Sequence, residues 1–215
     1  MTKKCLFLML AVLMVATSSL VAADSQESSY TRYDKGSQMF TFRAGPTIPA
    51  FMWFFNPKAG DNSFPVGPGG EENKGTGLSI GGYGGIAYQA FISPVAAFGG
   101  ELGYSFGFDR GGKLLTIIPI AAKLTWIPLQ GIIETPLSVS AGLSYLSLGG
   151  TEPKGKFSFF AALEVGVTWF PSDNWGVGLT SGLWLIPDIY LLTDKPEHNS
   201  LLGIVPIALS VTYRN

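Results

Sequence analysis

The residues able to do covalent or metal chemistry are few. His198 is the single histidine, and Asp194, Glu197 and Ser200 stand near it in the stretch DKPEHNS, which has the composition of a hydrolase triad. Catalytic sets usually converge from separate elements onto a shaped site, whereas these four share one proline-containing stretch. A solvated loop is the expectation here, and no enzyme. Cys5 is the only cysteine, so a thiol and imidazole metal set cannot be assembled and no cofactor is expected. Gly81, Gly82, Gly84 and Gly85 look like a phosphate-cradling loop, but such a loop opens a helix, and here the residues go on alternating as a strand does.

Charge is the other resource, and it is scarce. Only 13% of the 215 residues are charged while 47% are apolar, about half the charged fraction of an ordinary soluble domain. A net charge of −1 with scattered Lys and Arg offers nucleic acid no basic patch, and the composition is not that of a disordered chain. Four charged residues, Arg43, Glu101, Lys123 and Glu164, fall well inside apolar stretches.

The elements that must position them have a period of two. From Ala97 to Asp109, Phe98, Leu102, Tyr104, Phe106 and Phe108 alternate with Ala97, Gly99, Glu101, Gly103, Ser105 and Gly107. The same alternation of bulky with small or polar residues recurs over 38–47, 78–91, 114–126, 137–145, 157–169, 175–185 and 201–213, which makes eight strands. No run of 18 apolar residues follows the N-terminus, so spanning helices are excluded. Short turns at 93–95, 128–135 and 171–174 alternate with longer or Gly-rich connections at 49–76, 109–112, 149–156 and 188–200. The fold class expected is therefore all-β, an eight-stranded antiparallel transmembrane β-barrel of the outer-membrane type.

Lys3 and Lys4 precede an apolar run from Leu6 to Val15 and the small-residue ending Val21, Ala22, Ala23, the form of a secretory signal peptide over 1–23. A flexible periplasmic leader over 24–37 and the barrel over 38–215 complete the expected organisation, with integral localisation in the outer membrane. Arg43, Glu101, Lys123 and Glu164 all lie on the small-residue parity. A charge facing lipid at mid-depth costs about 2 to 4 kcal/mol, so the small face must line the lumen and the bulky face must meet outer-membrane lipid. The four charges are expected to form one neutral layer. Glu101 and Lys123, whose positions average to 112, are expected to be direct cross-strand neighbours. Tyr88, Trp126, Trp169, Trp175 and Tyr213 form a periplasmic aromatic girdle, and Tyr104, Phe106, Phe108, Tyr145 and Phe157 form one at the opposite ends.

The string FTFRAGPTIP (40–49), with Phe40, Phe42, Arg43, Ala44 and Gly45, resembles the opening strand of the OmpW family of small outer-membrane barrels. IIPIAAKLTW (117–126), PLSVSAGLSY (136–145) and the ending SVTYRN are similar to later strands of that family, which ends in Phe where this chain has Asn215. The resemblance implies an eight-stranded barrel, inserted by the barrel assembly machinery, whose apolar inner channel passes small hydrophobic solutes. The residues themselves leave a second reading open, a closed-lumen surface barrel with a structural or adhesive role. Under the transport reading, the apolar stretch IPAFMWFF (48–55) turns inward at its prolines, and Phe51, Met52, Trp53 and Phe55 line the outer entrance and contact solute. The alternative for this stretch is a strand extension at the membrane interface. Pro119 and Pro206 are candidate weak points for lateral exit through the wall.

Overall fold

The computed structural model describes residues 32–55, 76–109, 111–149, 154–188 and 199–215. The expected signal peptide, the leader up to residue 31, and Asp194, Glu197 and His198 lie outside the described residues. The strands are β1 (Gln38–Phe54), β2 (Gly81–Ser93), β3 (Ala96–Phe108), β4 (Leu114–Trp126), β5 (Ile133–Glu134), β6 (Leu137–Leu148), β7 (Lys154–Trp169), β8 (Trp175–Asp188) and β9 (Ser200–Arg214). Eight long strands pair antiparallel in chain order, and β1 pairs with β9 to close the wall. The two-residue β5 pairs with β7 beyond the end of β6. Closure leaves no unpaired edge, which is the condition for a sheet to cross hydrocarbon.

The stagger of the barrel can be read from the register. Partners followed around the wall from Phe40 are Tyr88, Gly100, Ala122, Ala141, Ala161, Leu185 and Gly203, and the path re-enters β1 at Phe51. Returning this far along the same strand requires the strands to tilt by about 35 to 45°. Bulky residues on one parity face outward, as the 67% exposure of Leu209 and the 71% exposure of Phe157 make plain. With a rise of about 3.3 Å per residue, Tyr88, Trp126, Trp169, Trp175 and Tyr213 fall at one level on the outside, at the end carrying both termini. Phe108, Tyr145, Phe157, Phe51 and Trp53 fall roughly 25 Å higher, at the loop end. That separation matches the apolar band of a membrane barrel.

The stretch 48–55 continues β1 rather than turning inward. Ile48 to Phe54 pair with Val205 to Ser200, and the register shifts between Pro49 and Phe51. The upper part of β9 offers this segment a ladder of backbone partners, and the prolines are absorbed locally. Pro46 falls in a gap of the β1–β9 ladder between Ala44 and Thr47, and Pro49 sits at the bulge. Phe51 and Trp53 consequently face outward, Phe51 with its ring over Gly203, and Phe55 is exposed just beyond the strand. Met52 alone of the four expected entrance residues turns into the lumen, where, like Leu78 and Leu115, it packs against a buried apolar cluster that includes Leu202 and Ile204.

Inward glycines let neighbouring strands coil closely. A Cβ on Gly142 would stand 2.2 Å from the Ile120 carbonyl oxygen and 2.6 Å from the Ala121 Cα, contacts that only backbone movement could relieve. Gly142→Leu is expected to destabilise the folded barrel by about 1 to 3 kcal/mol or more, read as a lowered urea midpoint in lipid vesicles. An unchanged midpoint would mean that β4 and β6 do not approach so closely.

Candidate functional site

Four strands each send one charged side chain to a common point in the lumen. Arg43 comes from β1, Glu101 from β3, Lys123 from β4 and Glu164 from β7, and all four are buried or nearly so. Arg43 donates through Nη2 to Glu101 Oε2 and through Nη1 to Glu164 Oε2, each at 2.5 Å. The Lys123 ammonium reaches Glu101 Oε2 at 3.0 Å and is also paired with Glu164. The second Glu164 oxygen accepts from the Trp184 indole at 3.4 Å, and the Arg43 guanidinium lies 5.8 Å from the centroid of the Tyr83 ring. The register and stagger put the four residues at one height, about 8 Å above the aromatic belt of the terminal end. Each carboxylate serves both cations, so the layer is internally neutral.

The geometry departs from the expected register in one respect. Glu101 pairs with Ala121, and Lys123 pairs with Gly99, so Glu101 and Lys123 are diagonal neighbours two positions out of step rather than directly opposite. The ladder closes at Phe108 and Leu114, which centres the turn at residue 111 and not at 112. The long, flexible lysine stem spans the offset.

On the loop side of this layer the lumen is filled by apolar side chains. Trp184, only 1% exposed, meets Tyr83 and Phe160 edge to face with ring centroids 4.8 and 5.4 Å apart. Ile117, Leu146, Ile186, Leu202 and Ile204 complete the cluster. None of these was singled out from the sequence. The one available signal was parity, since Trp184 shares its face with Gly182, but a large aromatic on a small-residue face has no obvious place until the lumen's taper is known.

A second buried group closes the terminal end. Arg214, near the end of β9, pairs with Glu134 of β5 and donates to the Tyr33 hydroxyl at 2.6 Å, and that hydroxyl donates to Glu134 at 2.8 Å. The Arg214 guanidinium sits 3.4 Å from the centroid of the Phe170 ring, and Tyr33 stacks on Phe91 at 3.9 Å. Burial, and then the Glu134 charge, raise the Tyr33 phenol above its ordinary range, so it remains a neutral hydroxyl able to donate. Residues 32–37 were expected to be part of a flexible leader. They instead pack across the mouth, because Tyr33 can bury its ring on Phe91 while its hydroxyl bridges Glu134 and Arg214. Among the described residues there is no group of three or more His, Cys, Asp and Glu placed to hold a metal ion. Ser200 is buried at the start of β9, paired with Asp188 and Phe54.

A closed wall of eight antiparallel strands with an outward apolar band and an inward charge layer defines the class, an eight-stranded β-barrel of outer-membrane type. Solved structures share this fold. Neisserial surface protein A is similar at 12% identity over 81% of this chain and 96% of its own, with a TM-score of 0.52. Weaker likeness is found to Ail, the attachment invasion locus protein of Yersinia pestis (8% identity, 85% and 100% coverage, TM-score 0.48). The outer membrane protein OprG of Pseudomonas aeruginosa is comparable (10% identity, 86% and 98% coverage, TM-score 0.47). No curated protein matches the chain. The chain belongs to a protein family of unknown function whose model matches residues 21–213.

Removing one member of the charge layer leaves an uncompensated charge in the lumen. Glu164→Ala is therefore expected to destabilise the barrel by about 3 to 5 kcal/mol, measured by urea unfolding in vesicles. The combined replacement Arg43→Met, Glu101→Leu, Lys123→Met and Glu164→Leu is expected to lose much less. If the single substitution proved harmless, the four groups would not be desolvated together.

Proposed function

We propose that this protein is exported to the outer membrane and lies in it as an integral barrel with a closed lumen, serving as a structural or partner-binding element at the surface. The observation that carries the reading is the stacking of obstructions along one axis. From the terminal end these are the Tyr33, Glu134 and Arg214 group, the Arg43, Glu101, Lys123 and Glu164 layer, and the apolar cluster around Trp184. An eight-stranded barrel has an interior that side chains can just fill, and here they obstruct it at these three levels. The outward bulky face with its two aromatic belts supports contact with outer-membrane lipid, and the Lys3 and Lys4 leader followed by its apolar run supports export. Insertion would fall to the barrel assembly machinery. A partner would be met at the end opposite the termini, where the connections after β1, β3, β6 and β8 lie.

The second reading is passage of small hydrophobic solutes, as the resemblance to the OmpW family implies, and one observation favours it. The ladders are interrupted beside the inward prolines. Between β3 and β4 no pairing joins Gly103 to Pro119 or Tyr104 to Ile118, and between β8 and β9 none joins Gly182 to Pro206 or Leu183 to Val205. An apolar groove of about 780 Å³ runs over Ala44, Gly84, Leu102 and Tyr104 on the outer face, next to the first interruption. A lateral route would have to pass there, and the apolar cluster around Trp184 obstructs the lumen behind it. Met52 is the one expected entrance residue whose side chain could serve such a route from inside.

Planar-bilayer recordings of the purified, reconstituted protein separate the two readings. A closed lumen gives no conductance above the lipid baseline. Reproducible stepwise openings would overturn the proposal and return transport to the front.

A further inference from the structure

Between the two ion-pair groups the lumen is not fully packed, and its wall mixes hydroxyl and charged side chains with apolar ones such as Met39, Ile127 and Phe170. A void of about 40 Å³ remains there, lined by Thr41, Thr125, Ser138, Thr180, Ser210 and Thr212 together with Arg43 and Lys123. A buried water needs about 10 to 15 Å³ of such volume, so there is room for about three. Some lining hydroxyls satisfy each other, Thr41 with Thr212 at 3.2 Å and Thr125 with Ser138 at 2.8 Å. Two polar atoms on its wall have no protein partner, Arg43 Nε and Ser210 Oγ. Their residues are 6% and 2% exposed and stand opposite each other on β1 and β9. Leaving a buried donor unpaired costs about 1 to 3 kcal/mol, so both atoms call for an acceptor inside the void. That acceptor is neutral, because the carboxylates of the layer already balance its two cations and an added ion would bring uncompensated charge into a low-dielectric space.

Glu134 and Phe170 line the void at the terminal end, and the segment before β1 packs beyond them, with the Tyr33 hydroxyl bonded to Glu134. Arg32 donates from Nη1 to the Gly131 carbonyl and from Nη2 to Asp173, each at 2.9 Å, and its backbone N–H donates to the Gln130 side chain at 3.0 Å. Tyr33 stacks on Phe91 and bridges Glu134 and Arg214. Gly36, at φ 98°, turns the chain so that its N–H donates to the Phe91 carbonyl at 2.8 Å while the Phe91 N–H donates to the Ser37 carbonyl at 2.8 Å. A short strap is thus fastened at three points around the mouth by side chains and turns. It is not itself part of any strand of the wall, so its release breaks the two backbone hydrogen bonds to Phe91 but none of the strand pairings.

We propose that residues 32–37 are a displaceable strap, with Tyr33 as its stopper, closing a chamber that binds small neutral hydrogen-bonding molecules, water first. The chamber ends blindly at the Arg43 and Lys123 layer, so opening the strap exposes a binding vestibule and no through path. This holds whatever the loops at the other end bind.

The test uses one reporter thiol. In the full barrel with Cys5 replaced by Ser, Thr180→Cys places a thiol on the chamber wall, and its reaction with iodoacetamide, a small neutral reagent, is timed in folded protein identified by its heat-modifiable mobility. Labelling is expected to be slow with the strap intact, at least tenfold faster in Tyr33→Ala, and still slow in Tyr33→Phe, whose ring keeps the stack on Phe91. Equal rates with Tyr33 intact and in the Tyr33→Ala variant would overturn the proposal, whether both are fast or both slow. Should Tyr33→Ala fail to fold, Arg32→Ala loosens the strap at Gly131 and Asp173 while leaving the stopper in place. Faster labelling in that variant supports the strap, and an unchanged rate overturns it.

Discussion

The neutral layer of Arg43, Glu101, Lys123 and Glu164 is the constraint on which the rest of the barrel depends. It joins β1, β3, β4 and β7, and its Arg43–Glu101, Arg43–Glu164 and Lys123–Glu164 pairs connect strands that no ladder joins. Each ion alone would cost several kcal/mol to bury, and the group is tolerable only while every member is present. A one-residue slip of any of the four strands would carry its charge to the lipid face, so the layer penalises every wrong register at once. Its contribution is better described as specifying one closed arrangement than as adding net stability.

The layer also divides the interior into two regions of different chemistry. Towards the loop end, Trp184, Tyr83 and Phe160 sit directly against it, and the indole of Trp184 completes the hydrogen bonding of Glu164. The buried, mostly apolar cluster on that side lowers the local dielectric around the ion pairs, which strengthens their attraction. Towards the terminal end, small hydroxyl residues leave space, and the polar atoms that the layer cannot satisfy face that space. The asymmetry follows from where the largest inward side chains fall: Trp184, Tyr83 and Phe160 meet on the loop side of the layer, whereas Thr41, Thr125, Ser138, Ser210 and Thr212 border the void on the other. The outer surface has the complementary simplicity of a bulky apolar band between two aromatic belts, and Phe51 and Trp53 belong to the upper belt by height.

Much of this was legible in the sequence because alternation exposes parity directly. Four charges sharing the small-residue face could be assigned to the lumen without knowing any register, since lipid on that face would be prohibitive. Finer placement depended on things a single chain does not display. The offset between Glu101 and Lys123 turns on whether the β3–β4 connection is centred on 111 or 112, a difference that turn composition does not resolve. The inward turn expected at Pro46 and Pro49 weighed the prolines locally, whereas the fate of 48–54 was decided by β9, some 150 residues away, offering backbone partners up to Ser200. Tyr33 looked like part of a polar leader, Glu134 like part of a turn, and Arg214 like a chain end. Their association joins positions about 80 to 180 residues apart, and no spacing rule connects them.

If the charge layer is shut off from bulk water, side-chain hydrogen exchange will report it without intermediary. In nitrogen-15-labelled protein reconstituted into lipid nanodiscs, the Arg43 guanidinium and Lys123 ammonium protons should be observable and should exchange with deuterated solvent far more slowly than those of an exposed side chain such as Lys35. Exchange of Arg43 and Lys123 as fast as that of Lys35 would contradict the account, because the lumen would then be open to water at its most highly charged level.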